Sequence, residues 1–110
     1  MNNKQDKFLS QLGLCKRAGK LMLGEDATLI ALRDKSAKLV ILSEDASELT
    51  AKKIKDKCLH YHVPLIQRFD RYTLGGCVGQ EARVVLVVID KGFARMLQQS
   101  TEIPTEVAED

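Results

Sequence analysis

The sequence predicts an α/β fold: a three-layer α/β/α sandwich around a mixed four-stranded sheet. Three observations carry this expectation. Short apolar runs at 21–23, 38–42, 63–66 and 83–89 alternate with segments whose apolar residues recur at helical spacing. Glycines, a proline and capping carboxylates punctuate the boundaries between them. The chain of 110 residues is 45% hydrophobic, enough for one core and one domain.

Residues 5–18 read as the first helix, with Phe8, Leu12 and Cys15 on one face and Gly19 suited to a left-handed end. Leu21, Met22 and Leu23 make a short strand that stops at Gly24. A helix over 25–34 follows, with Ala27, Ile30 and Ala31 as its expected buried stripe. Glu25 and Asp26 suit the positive end of its dipole. The unbroken apolar run at 38–42 fits a strand buried on both faces. A helix over 47–60 turns Ala51, Ile54 and Cys58 inward and Lys52, Lys53, Lys55 and Lys57 outward. Pro64 confines the strand at 63–66 to its first position or to a sheet edge. Asp70 caps a short helix to about 77, which Gly75 and Gly76 interrupt. The segment 83–89 is the most hydrophobic and the natural central strand. Asp90 caps a last helix over 91–99 that turns Phe93, Met96 and Leu97 to the core.

The formal net charge of +2 hides an asymmetry. The stretch 100–110 contains Glu102, Glu106, Glu109 and Asp110 and no basic residue, and reads as a flexible acidic tail. Residues 1–99, the expected domain, hold 17 basic and 11 acidic residues, or +6. Such a body favours an anionic partner. The longest apolar run is far too short for a membrane span, and no signal-type stretch follows the N-terminus. Three sparse cysteines, Cys15, Cys58 and Cys77, read as reduced thiols in a cytoplasm.

Catalytic and metal signals are thin. Cys58, His60 and His62 fall at alternate positions, but no second ligand pair completes a structural zinc site. Cys58 reads as core, and the histidines as residues suited to a helix end. Gly75, Gly76 and Gly79 lie between a helix and a strand, whereas a phosphate-cradling loop needs strand before helix. Asp45, Asp70 and Asp90 each follow a strand and could converge, or could simply cap helices. No nucleophile constellation, cofactor or metal is expected.

The loop ends are more informative. The strand at 21–23 delivers the chain to a helix N-terminus at Gly24, Glu25 and Asp26. Open N–H groups there suit an anion or a base edge. Lys16, Arg17 and Lys20 lie just upstream and read as phosphate contacts in the same turn region. The alternative is that the acids only stabilise the helix and the lysines only solvate the surface.

Several segments in order carry a resemblance. They are Ala18-Gly19-Lys20-Leu21, the helix begun at Gly24, the run from Lys38 to Ala46, Val63-Pro64, and the run from Leu74 to Ala82. Over about residues 5–99 the chain resembles the kink-turn-binding ribosomal protein superfamily (L-seven-Ae/L-thirty-e type). Within it, the likeness is to the small bacterial YlxQ-type members. The resemblance implies an α/β/α sandwich that binds structured RNA, with two loops doing the reading. The first falls at Gly24, Glu25, Asp26, Ala27 and Ile30, where a helix enters the groove at sheared G·A pairs. The second falls at Gly79, Gln80, Glu81, Ala82 and Arg83, which cover a flipped-out nucleotide.

The sequence departs from the family pattern at these loops. Asp26, Ala27 and Ile30 stand where archaeal members carry Asn, Glu and Lys. Gln80 and Arg83 replace apolar residues, and Arg83 can restore a phosphate or guanine contact. The expected function is therefore non-catalytic binding of structured ribosomal or other non-coding RNA by a ribosome-associated monomer. The alternative is a protein-interaction module on the same fold. The RNA reading expects the two loops to lie side by side on one electropositive face.

Overall fold

The structure is a computed structural model that describes residues 3–101, with side chains from Lys7 onward. Five helices alternate with four strands: α1 (Asn3–Arg17), β1 (Leu21–Leu23), α2 (Glu25–Arg33), β2 (Leu39–Leu42), α3 (Glu48–Tyr61), β3 (Leu65–Gln67), α4 (Arg71–Cys77), β4 (Val85–Val88) and α5 (Lys91–Thr101). The sheet order is β1-β4-β2-β3. β4 pairs antiparallel with both β1 and β2, and β2 pairs parallel with β3. The expected mixed four-stranded sheet is present, and the most apolar segment is central in it.

Side-chain alternation divides the core into two layers. Leu39, Ile41, Leu86 and Val88 meet Phe8, Leu12 and Cys15 of α1, Leu74 of α4 and Leu97 of α5. Val40, Leu42, Val85 and Val87 meet Ala31 and Leu32 of α2 and Ile54 and Cys58 of α3. β2 and β4 are wholly buried because helices cover both faces, as their unbroken apolar runs require. β1 and β3 are edge strands of three residues each. Pro64 lies just before β3, and its carbonyl still accepts the Val40 N–H at 3.0 Å.

Four sequence expectations are corrected. The buried stripe of α2 is Thr28, Ala31 and Leu32, while Ile30 is 55% exposed and Ala27 half-buried. Thr28 can be buried because its hydroxyl donates to the Gly24 carbonyl at 2.8 Å, which removes the cost of hiding a polar group. β3 begins two residues later than expected. Gly75 and Gly76 do not interrupt α4, which runs through both. Helix α5 continues to Thr101, into the stretch read as tail; residues 102–110 lie outside the described residues.

Topology gives the sheet two unlike ends. β1, β2 and β3 run in one direction and β4 in the other. The carboxyl ends of the first three and the amino end of β4 therefore share one end, where α2, α3 and α4 start. The opposite end gathers the last turns of α1, α2 and α3 and the start of α5.

Candidate nucleic-acid interface

The two connectors singled out from the sequence meet at the first of these ends. The Gly24 N–H donates to the Val85 carbonyl at 2.9 Å, which ties the exit of β1 to the entry of β4. Gly24 has φ 100°, a conformation that side chains rarely adopt. A Cβ there would lie 3.3 Å from the Arg83 Nη1. Among the described residues no side chain caps α2, so its first N–H groups are left open at this junction.

The second connector is held by backbone and by close packing. The Gln80 N–H donates to the Gly75 carbonyl at 2.8 Å, and the Arg83 N–H to the Arg71 carbonyl at 2.9 Å. Arg83 Nη2 donates to Gln80 Oε1 at 3.1 Å, while its Nε is buried without a partner among the described residues. Gln80 and Glu81 are exposed; Ala82 and Arg83 are half-buried.

A cavity of about 370 Å³ opens between the connectors. Gly24, Glu25, Ala82, Arg83, Val84 and Val85 line it, joined by Ser47 and Thr50 from the start of α3 and by Arg71 from α4. The last three and Lys53 carry no sequence signal of their own; only the shared end of the sheet brings them here. Lys53 Nζ bonds Glu25 Oε2 at 2.7 Å, and that bond and charge raise the ammonium above its ordinary pKa. Arg71 is engaged with Asp45 through its Nε at 3.3 Å and with the Asp45 carbonyl through Nη2 at 2.7 Å.

Proximity thus holds, but the expected electropositive face does not. Lys53, Arg68, Arg71 and Arg83 share this end with Glu25, Asp26, Glu44, Asp45, Glu48, Asp70 and Glu81. The acids follow from topology: α2, α3 and α4 all begin here, and carboxylates suit helix N-termini. Ser47 and Asp70 cap α3 and α4 through the Thr50 and Thr73 N–H groups.

Nor do Lys16 and Lys20 share this region. The Lys20 carbonyl accepts the Ile89 N–H at 2.9 Å, at the far end of β4 from the Gly24–Val85 bond. Four extended residues separate the two bonds, about 13 Å. Arg17 turns back along α1 into a groove with Gly13 and Cys77. Asp90 also lies at the far end, capping α5 through the Phe93 N–H, so it cannot converge with Asp45 and Asp70. Cys58 is buried in the core, while His60 stands outside against Tyr61. Among the described residues no three metal-ligating side chains cluster, and no helix is long and apolar enough to cross a membrane.

A strand-to-helix glycine is thus set against the loop that enters the central strand of a mixed sheet. The model of the Ribosomal protein L7Ae/L30e/S12e/Gadd45 family matches residues 6–98, and the chain belongs to that family. Among characterised bacterial proteins it is similar to the RNA-binding protein YlxQ of Bacillus subtilis (strain 168). The two are 51% identical over 86 residues, 78% of this chain and 86% of that protein. It is also similar to the RNA-binding protein YlxQ of Enterococcus faecium, 39% identical over 100 residues, 91% of this chain and 95% of that one.

Two solved structures share the fold. A Bacillus halodurans C protein of unknown function superposes with a TM-score of 0.83 at 42% identity, over 86% of this chain and 95% of that one. The Giardia lamblia 15.5kD RNA binding protein gives 0.77 at 14% identity, over 91% of this chain and 86% of that one.

Proposed function

We propose that this chain binds structured RNA at an internal loop of the kink-turn kind, without chemistry, as a cytoplasmic, ribosome-associated monomer. The observation that carries the reading is the pairing of Gly24 with Arg83. An uncapped helix start and a guanidinium that has no acidic partner among the described residues lie side by side above a cavity. The naming of the YlxQ relatives as RNA-binding proteins supports the ligand class.

Each part has a distinct task. Arg83 offers a planar donor fork to a phosphate or to guanine O6 and N7. The open N–H groups of α2 take a phosphate or a base acceptor. Asp26 can only accept, so it suits exocyclic amino groups and repels phosphates. The cavity, with Ala82, Val84 and Val85 on its wall, takes one unstacked nucleotide. The Glu25–Lys53 and Arg71–Asp45 pairs fix its rim without adding net charge.

Fluorescence anisotropy with a kink-turn RNA, and with the same RNA after its G·A pairs are changed to Watson–Crick pairs, tests this. The parent protein should prefer the kink-turn, and Arg83→Gln should weaken that complex by roughly 1–3 kcal/mol, the range for one lost bidentate contact. Equal affinity for the two RNAs, or an unchanged complex with Arg83→Gln, refutes it.

One observation favours a second reading, a protein-interaction module. Ile30 is 55% exposed on α2, six residues after Gly24, where a phosphate contact would need a cation. A partner retained by the chain after nuclease treatment, and lost with Ile30→Lys, would establish it.

A further inference from the structure

The end of the sheet opposite the connectors holds Lys16, Lys20, Lys35, Lys38 and Lys91, which lie far apart in sequence. Backbone bonds fix their grouping. The Lys20 carbonyl accepts the Ile89 N–H at 2.9 Å, and the Lys38 N–H donates to the Val88 carbonyl at 2.7 Å. Lys20 and Lys38 therefore flank the last residues of β4, two strand spacings or about 10 Å apart. Lys91 follows two residues beyond Ile89. Lys35 shares a pocket of about 370 Å³ with Lys38 and His62.

None of the five lysines forms an ion pair among the described residues. The described carboxylates at this end, Asp34 and Asp90, already accept backbone N–H groups, from Ser36 at 3.0 Å and Phe93 at 2.9 Å. Helix dipoles account for part of the pattern. Lys16 and Lys35 stand at the ends of α1 and α2, where cations are favourable. They do not account for Lys91, which opens α5 directly after the Asp90 cap, at a helix start where a cation is unfavourable. Lys20 and Lys38 precede strands, which have little dipole to balance.

We infer that this lysine face is a second RNA surface, which grips the phosphate backbone of a double-helical segment apart from the internal loop. The inference rests on the RNA-binding reading above. Unpaired lysines spread across three strands suit a row of phosphates, which need charge and tolerate loose geometry. The acidic connector end then supplies selectivity, and this end supplies most of the salt-sensitive attraction.

The test is anisotropy with two RNAs, a plain duplex and the kink-turn RNA, over a salt series. The triple variant Lys20→Gln/Lys38→Gln/Lys91→Gln keeps the aliphatic stems and should retain the parental melting temperature. Its log K against log salt slope should be less steep by about 2.7 on both RNAs, three contacts at ~0.9 each. A fourfold rise in salt would then cost it roughly 40-fold less affinity than it costs the parent. Arg83→Gln should leave the duplex slope unchanged, so a failed connector reading and a failed lysine face give different patterns.

Should the triple variant unfold, Lys91→Gln alone decides, with an expected slope change of about 0.9 and no loss of stability. A parental duplex slope in the folded triple variant, or in Lys91→Gln, overturns the inference. So does loss of poly-glutamate binding with RNA binding intact, which would give the face to an acidic protein instead.

Discussion

Gly75 and Ala82 touch backbone to backbone: a Cβ on Gly75 would lie 2.6 Å from the Ala82 Cα and 2.7 Å from its nitrogen. The middle of α4 thus forms the seat of the connector that ends at Arg83. Any side chain there pushes Ala82 and Arg83 away from Gly24. Gly75→Ala should cost about 1–3 kcal/mol through overpacking, even though alanine favours helix. It should also weaken kink-turn binding while leaving plain-duplex binding intact. A melting curve and an anisotropy titration read both effects.

Leu86 sits at the centre of β4, fully buried between β1 and β2. Leu86→Ala should lower unfolding free energy by about 2–5 kcal/mol, the range for a core leucine that leaves a cavity. Urea unfolding measures it; a loss below about 1 kcal/mol would mean that the two layers close over the gap.

Burial pushes the thiols up: Cys15 to about 12, with the Asp90 charge adding to burial, and Cys58 and Cys77 to about 11, all from 9.0. The folded chain keeps these protons to higher pH than the unfolded one. Their contribution to stability is complete below about pH 9 and disappears as pH rises through 11 to 12. The urea midpoint should therefore fall above pH 9. Iodoacetamide at pH 8 should label Cys15 and Cys58 far more slowly in buffer than in urea.

His62 ends α3 in the left-handed region, φ 59° and ψ 42°, with its N–H on the Leu59 carbonyl. A non-glycine residue is strained there, so His62→Gly should stabilise the protein by about 0.5–1 kcal/mol and raise its melting temperature. A lower melting temperature would mean that the imidazole contributes more than the strain it brings.

The fold was largely legible because burial repeats along the chain. Val85 to Val88 announced a central strand, and Phe8, Leu12 and Cys15 announced a helix face; both are fully buried or nearly so. The stripe of α2 was not, because residue type alone ranks Ile30 as core and Thr28 as surface. Thr28 is inside only because the Gly24 carbonyl lies within reach of its hydroxyl. The closeness of the two connectors could be anticipated from the resemblance. The charge of their surroundings could not: it depends on which end of the sheet each helix starts from. Lys20 and Gly24 are near neighbours in sequence, yet an extended strand carries them to opposite ends.

The border strands β1 and β3 span three residues apiece, and Lys20 and Pro64 stand at their entrances. Such brief margins, each led by a charge or by a residue lacking an amide hydrogen, give a stray peptide almost no ladder to extend. The molecule is thereby guarded against stacking margin-to-margin into fibrils, even when many copies crowd together.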